Sequence, residues 1–340
     1  MRSSAAWPSV AAAVTLLIGG CEFESDYRTE LFVFGTFVTI DVYDARRTDF
    51  YRASDAIAER YLELDRDWYP WDDGELRRVN DAIANGETIA VSAPLARLVQ
   101  AAAHYENLTG GRFNAGLGRI SELWGFDRLP DAVDAPPDAA AIAAVLAERP
   151  GAATLEWAQS SLVGAGRATM LDLGGIAKGA LLLEAAGILE AHGIDNAIVN
   201  LGGDLLVIGR VNGRDAQIGI RSPAAEDALA GLTVAPGEAV FTSGSYERYV
   251  EIDGERFAHI LDPRTGMPVR HTVSVTVVDR DPIRADAAAT ALLVGGSGAF
   301  DELVAALGLE FALLIDASGD VRLTSGLRER LHWKAPGMSQ

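Results

Sequence analysis

The chain has 340 residues, 49% of them hydrophobic, which is enough for one large core or two intimate ones. Its 48 acidic residues outnumber 29 lysines and arginines, giving a formal net charge of -19, and such a surface repels a nucleic-acid backbone. The charges are spread rather than blocked, as in a folded acidic protein, and the single cysteine, Cys21, excludes an internal disulfide.

The N-terminal region carries one positive charge, Arg2, then an apolar run over residues 11–20 that ends Leu16-Leu17-Ile18-Gly19-Gly20-Cys21. The run is too short to span a bilayer and has the dimensions of a secretory signal core. Its end resembles a bacterial lipobox. That resemblance implies cleavage before Cys21, lipidation of the cysteine, and a membrane-anchored lipoprotein facing the periplasm or the outside, at the inner or the outer membrane. An ordinary cleaved signal with an unrelated cysteine is the alternative. No later stretch has the length of a membrane helix, so the remainder is expected to be soluble. The chain thus divides into a signal peptide (1–20), a polar tether (21–30), one folded domain (31–328) and a loose tail (329–340).

Residues 31–42 alternate and are rich in Phe, Val, Thr and Ile, which predicts a strand. Helical periodicity covers 50–65, and the aromatic loop Trp68-Tyr69-Pro70-Trp71-Asp72-Asp73-Gly74 follows. A second helix starts after Ser92-Ala93-Pro94 and stops at Thr109-Gly110-Gly111. Residues 130–137 read as an exposed connector, and Asp138 is placed to cap a helix over 139–149 that Pro150 stops. A strand is expected over 168–173, then a glycine turn and a helix from 176 to 192 with Gly193 as its stop. Residues 196–208 read as strand, glycine turn, strand. Further strands are expected at 217–220, 239–242, 246–252 and 271–278, helices at 284–294 and 299–307, and a closing hairpin from 311–315 and 321–324. This mixture indicates an α+β or mixed α/β fold.

The stretch richest in chemistry runs from His259 to Thr290. It opens His259-Ile260-Leu261-Asp262-Pro263-Arg264-Thr265-Gly266 and closes Asp286-Ala287-Ala288-Ala289-Thr290. On a helix, positions four apart share a face, so Asp286 and Thr290 present a carboxylate and a hydroxyl side by side. Both are hard oxygen ligands of the kind Mg2+ takes while also binding substrate phosphates. The same pair also suits a helix surface in an alanine-rich packing segment. In Asp172-Leu173-Gly174-Gly175-Ile176-Ala177-Lys178-Gly179, two glycines at a strand-to-helix junction allow close backbone approach, and the helix N-terminus offers N–H groups to an anion. Lys178 is placed to meet a phosphate and Asp172 to accept from a heterocycle or a ribose. The spacing matches neither the dinucleotide nor the P-loop fingerprint, and a tight turn with a surface lysine is the plain alternative. A lone histidine is more often structural than catalytic, but the turn-rich run after His259 raises the functional odds. The aromatic loop serves either as a core plug or as a stacking wall for a flat ring.

Taken in order, these pieces resemble the FAD:protein FMN transferase family, also called the ApbE family of flavin-trafficking lipoproteins. The similarity runs from about Leu31 to Gly326. It rests on Gly35-Thr36-Phe37, on Gly74-Glu75-Leu76-Arg77-Arg78-Val79-Asn80 and on Thr109-Gly110-Gly111-Arg112-Phe113-Asn114. It continues through Leu123-Trp124-Gly125-Phe126, the Asp172–Gly179 segment, Asn200-Leu201-Gly202-Gly203-Asp204, Thr242-Ser243-Gly244-Ser245-Tyr246, the His259–Gly266 run and Asp286 to Thr290. Each piece is weak alone, and the ordered set is specific. The resemblance implies a single large α+β domain, T-fold-like, with mixed sheets, flanking helices and an FAD cleft that uses Mg2+. It implies isoalloxazine and adenine contacts at Phe34, Trp71, Arg112, Phe113, Asn114 and Asp172, with Lys178 and Ile260 near the flavin chain or pyrophosphate. Metal ligands would be the Asp286 carboxylate, the Thr290 hydroxyl and the carbonyls of Gly175 and Ala289. Three positions depart from the family pattern: Phe34 stands where methionine is frequent, Trp71 where tyrosine is, and Phe113-Asn114-Ala115 where Phe-Asp-Pro is common.

The reaction so implied moves FMN from FAD onto a threonine or serine hydroxyl of an acceptor protein and releases AMP. A hydroxyl is a poor nucleophile at neutral pH and needs a base, with His259 the first candidate and Asp286 the second. The same site using water would be an FAD hydrolase giving FMN and AMP, and a site without turnover would make the chain a periplasmic flavin-binding lipoprotein. The resemblance points to subunits of membrane redox complexes as acceptors.

Overall fold

In a computed structural model, the structure describes residues 26–127, 133–164, 166–223 and 227–333. The Cys21 lipobox, the signal run and part of the connector at 130–137 lie outside them. The chain opens with β1 (Tyr27–Val33) and β2 (Thr36–Val42), paired antiparallel from Val33 opposite Thr36. The single strand expected over 31–42 is therefore a hairpin. Phe34 and Gly35 both have positive φ, 56° and 69°, as both central residues of a two-residue type I′ turn must. β1 also takes up most of the second half of the expected tether.

Helix α1 (Arg47–Trp68) buries Phe50, Ala53, Ile57, Tyr61, Leu64 and Trp68, a stripe at helical spacing. Helix α2 (Glu75–Asn85), ended by Gly86 at φ 72°, lies where the sequence had been read only for its motif. After β3 (Ile89–Ala90), α3 (Ala93–Leu108) starts at its Ser92 cap with Pro94 in the first turn. Helices α4 (Gly118–Trp124) and α5 (Ala139–Ala147) follow, and the Asp138 side chain accepts from the Ala140 N–H at 3.0 Å. The hairpin of β4 (Glu156–Ala158) and β5 (Ser161–Gly164) pairs with β3. Residues 168–173 form no strand. Their backbone is held instead by the loop before α4, through Asp172 N–H to Ala115 O at 2.8 Å, and by the Asn80 side-chain amide. That amide donates to Leu171 O (2.9 Å) and accepts from Leu171 N–H (2.7 Å), so one side chain replaces the neighbouring strand.

Helix α6 (Ala177–Ala191) leads into β6 (Ala197–Leu201), β7 (Asp204–Ile208), β8 (Ala216–Arg221), β9 (Ala228–Val234) and β10 (Ala239–Gly244). Four short strands come next: β11 (Tyr249–Ile252), β12 (Glu255–Ala258), β13 (Leu261–Asp262) and β14 (Met267–Pro268). The chain closes with β15 (Thr272–Asp279), α7 (Pro282–Leu307), β16 (Phe311–Asp316), β17 (Val321–Leu323), α8 (Ser325–Arg330) and β18 (Leu331–Trp333). β18 pairs with β9, so the expected loose tail is structured as far as Trp333.

The main sheet has eight strands in the order β1-β2-β6-β7-β10-β15-β16-β17. Alternate residues face opposite sides. Leu206, Val275, Val277, Ala312 and Leu314 join the core under α1, α3, α6 and α7. Leu205, Val207, Val278, Leu313 and Ile315 join a second core roofed by the small sheet β18-β9-β8. With both faces covered, the central strands read as continuous apolar runs. A third cluster, around Trp124, Ile142, Val250, Phe257 and Leu261, ties α4 and α5 to the short strands after β10. The whole is an α+β fold with flanking helices, but the strand pairs are antiparallel throughout the described residues rather than mixed as expected, because hairpins and returning strands, not parallel crossovers, join neighbours in the sheets.

The two helices expected at 284–294 and 299–307 are joined in α7, broken only at Gly296 (φ 64°). The His271 ring fills the space beside Gly296, and its Nε2 lies 3.1 Å from the Val294 carbonyl near the break. By length and composition α7 is apolar enough to cross a membrane, contrary to the expectation that no later stretch is. Here Ala285, Ala287, Ala288, Ala291, Leu292 and Leu293 are buried in the protein's own core. Small side chains let α6 approach α7 closely. A Cβ at Gly179 would lie 2.5 Å from Pro282 O and 2.7 Å from Ile283 Cα. Gly179→Ala is therefore expected to lower stability by about 1–3 kcal/mol through overpacking. An unchanged urea midpoint would show that the helices have slack at this crossing.

Candidate active site

The site is built where α6 begins. Asp172 Oδ1 accepts from Gly174 N–H at 3.0 Å, closing a tight turn, and Leu173 O accepts from Ile176 and Ala177 N–H. The turn delivers the chain into α6 with its first N–H groups unpaired within the helix. Two of them meet a carboxylate from another helix. Asp286 of α7 accepts from Gly179 N–H at 2.9 Å and from the Lys178 backbone. Asp286 is 5% exposed. Burial pushes its carboxyl up to about 7, with Asp204 adding to the rise, against the pull of the Lys178 charge and of the two N–H groups.

One turn further along α7, Thr290 reaches the glycine corner. A Cβ built on Gly175 would lie 3.2 Å from Thr290 Oγ1 and 3.3 Å from the Phe113 ring. The residues expected to hold Mg2+ therefore converge. Among the described residues no group of three or more His, Cys, Asp or Glu side chains is placed to hold a metal. The protein's own donors here are one carboxylate, one hydroxyl and backbone carbonyls. A partial set of hard oxygens fits an ion that keeps positions for water and phosphate. Ala289 is the weakest of the four expected ligands, because it is fully buried inside α7, where carbonyls serve the helix ladder.

Lys178 is not a bare surface lysine. Its ammonium pairs with Asp204 at the head of β7, a carboxylate only 3% exposed whose other oxygen accepts from Thr242 N–H at 2.8 Å. Burial presses the ammonium's pKa down, and the Asp204 and Asp286 carboxylates more than reverse this, so the net shift is upward. No role had been assigned to Asp204 from sequence. Its signal was a charged residue opening the apolar strand Leu205-Leu206-Val207-Ile208 straight after Gly202-Gly203.

His259 lies between β12 and β13. Its Nδ1 is 3.0 Å from the Arg248 carbonyl. A carbonyl only accepts, so Nδ1 carries the proton and the neutral ring keeps its lone pair on Nε2. Burial draws the imidazole down to about 4. The Arg248 carbonyl opposes this, and the Arg248 and Lys178 charges add to it.

The expected flavin contacts divide. Phe113 touches the glycine corner, and Ile260, next to His259, packs on the main core. Phe34, at the hairpin turn, sets its ring edge-on to Tyr61 at 5.9 Å. Trp71 is half-buried, and its neighbour Tyr69 feels the charges of Arg248, Asp172, Asp127 and Asp65, which brings the aromatic loop to the Asp172 side of the site. Two side chains are engaged elsewhere. Arg112 forks onto Glu302 at 3.1 and 3.2 Å, on the part of α7 beyond the Gly296 break. Asn114 donates to Pro150 O at 2.9 Å and accepts from Gly116 N–H at 2.7 Å, pinning its own loop.

Comparison with known proteins agrees with this arrangement. A model of the ApbE family matches residues 34–333. The chain is 34% identical over 328 residues to the FAD:protein FMN transferase of Rhodobacter capsulatus, covering 94% of this chain but only 62% of that protein's length. It is 32% identical over 373 residues to the FAD:protein FMN transferase of Treponema pallidum, covering 97% of each. Among solved structures, an ApbE protein of Thermotoga maritima superposes with a TM-score of 0.82 at 30% identity, covering 89% of this chain and 98% of the other. The apo form of the Pseudomonas stutzeri flavinyl transferase ApbE gives 0.77 at 27% identity, covering 89% and 96%.

The depressed His259 pKa has a readable consequence. Between pH 6.5 and about 4 the folded state binds fewer protons than the unfolded chain, so this group's contribution to stability is whole above 6.5 and is lost as pH falls through about 4. An NMR titration is expected to place the His259 midpoint near 4. A midpoint at the ordinary histidine value would mean that the ring is solvated.

Proposed function

The chain belongs to the ApbE family, and from that premise we propose that it is an FAD:protein FMN transferase acting on a threonine or serine hydroxyl of an acceptor protein. The observation that carries the proposal is the meeting of Asp286, Thr290 and Gly175 at the N-terminus of α6, with Lys178 alongside and its charge felt by His259. That corner offers the Lys178 ammonium and a positive helix end to a pyrophosphate and hard oxygens to a divalent ion.

In the transfer, the acceptor oxygen bonds to the phosphorus of the FMN half. The bond from that phosphorus to the bridging oxygen breaks, and AMP leaves with the bridging oxygen. Such a reaction depends mostly on positioning and charge neutralisation. Bound Mg2+ would polarise the pyrophosphate and offset charge on the leaving AMP. Asp286 and Thr290 would hold that ion. Lys178 adds a fixed positive charge beside the phosphates. His259 is the better candidate base, since Nε2 is unprotonated and its ring is oriented by the Arg248 carbonyl. Asp286 is less suited, because its oxygens already accept two backbone N–H groups. The aromatic loop with Trp71, together with Phe34 and Phe113, would wall the flavin. We place the protein at a membrane surface through a lipid on Cys21, facing the periplasm, with flavin-bearing subunits of membrane redox complexes as its acceptors.

Incubation with FAD, Mg2+ and an acceptor protein, followed by mass spectrometry, is expected to show covalent FMN on the acceptor. AMP released at the same rate without an acceptor would instead mark a hydrolase. Asp286→Ala is expected to abolish transfer and its dependence on the divalent ion, and full transfer in that variant would remove Asp286 from the site. His259→Ala should cost about 10²–10⁴-fold in transfer rate while FAD binding persists. An unchanged rate would exclude it as the base.

A further inference from the structure

Lys178 stands among three carboxylates. Asp204 affects it most strongly, Asp286 next and Glu247 least. Its own backbone bonds to the Asp286 carboxylate. The ammonium, on a flexible four-carbon stem, is thus rooted beside the one carboxylate expected to receive the divalent ion, yet it turns away to Asp204. An ammonium and a divalent cation compete for the same carboxylate oxygens. Asp204 is a firm anchor. It is buried at the head of a central strand and fixed by Thr242 N–H at 2.8 Å. Glu247 attracts the ammonium least of the three, and desolvation raises its own carboxyl to about 7.

We propose that Asp204 is a positioning residue that holds the Lys178 ammonium on β7, away from Asp286, so that lysine and divalent ion occupy the site together. The inference rests on Asp286 being the metal-facing carboxylate. With the Asp204 charge removed, the ammonium swings to Asp286, its strongest remaining partner, and blocks the ion.

The test uses the purified full-length chain without flavin, and Mn2+ alone as the probe, with binding read by electron paramagnetic resonance. Asp204→Asn is nearly isosteric and keeps an oxygen for Thr242 N–H. It is expected to weaken Mn2+ binding by at least about tenfold, as a cation drawn onto the liganding carboxylate would. A crystal structure of that variant without metal is expected to show Lys178 Nζ on the Asp286 carboxylate. Removing the competing cation as well, in Asp204→Asn/Lys178→Met, should restore binding. The proposal is overturned by unchanged affinity in Asp204→Asn, by an ammonium that stays beside residue 204 or moves to Glu247, or by a double variant that is not restored. If Asp204→Asn fails to fold, Lys178→Met decides alone: binding no weaker than in the native chain supports the proposal, and weaker binding overturns it. Asp286→Ala separates the two claims, since undiminished Mn2+ binding there would sink the metal reading itself rather than the role of Asp204.

Discussion

The site depends on one contact between two helices. Asp286, from the second turn of the core helix α7, accepts the Gly179 N–H at the start of α6. That bond requires the helices to touch, and they touch because Gly179 has no Cβ and the facing turns of α7 are small. The contact satisfies N–H groups that α6 leaves unpaired, in a setting where an unpaired group would cost about 1–3 kcal/mol. It also fixes a carboxylate beside a positive helix end, which is the environment a phosphate-bearing substrate and its cation need.

Charge placement around that contact is economical in kind if not in number. The chain is strongly acidic overall, yet the groups at the corner alternate in sign: Asp204, Lys178, Asp286, and then Arg248 behind His259. Burial favours the neutral forms of Asp286 and His259, raising the carboxyl and lowering the imidazole. The outcome suits acid–base chemistry on a hydroxyl: a histidine unprotonated at neutral pH, and a carboxylate whose ionised form awaits a cation.

The fold serves the site through its layering. The sheet is covered on both faces, so α7 can bury a long apolar face and still present Asp286 and Thr290 at the site. The cluster around Trp124 braces the segment that carries His259 from the other side, with the indole N–H donating to Gly266 O at 2.8 Å. Arg112 ties the loop after α3 to α7 through Glu302, and Asn114 pins its own loop to Pro150.

Much of this was legible in the sequence where the signal is local. Helical stripes, the Asp138 and Ser92 caps, the glycine turn at 202–203, the Gly193 stop, and the spacing of Asp286 and Thr290 depend only on residues near one another in the chain. The sequence by itself determined the α+β character, the family pattern and the residues able to ligate. Tertiary structure alone decided what those residues face. Residues 168–173 look like a strand but pair with an asparagine 91 positions away. The Arg112 guanidinium meets a carboxylate 190 positions away. Lys178 finds Asp204 26 positions on. Local sequence sets the conformations a segment prefers, whereas the partner of a charge or a backbone edge is set by packing between distant segments.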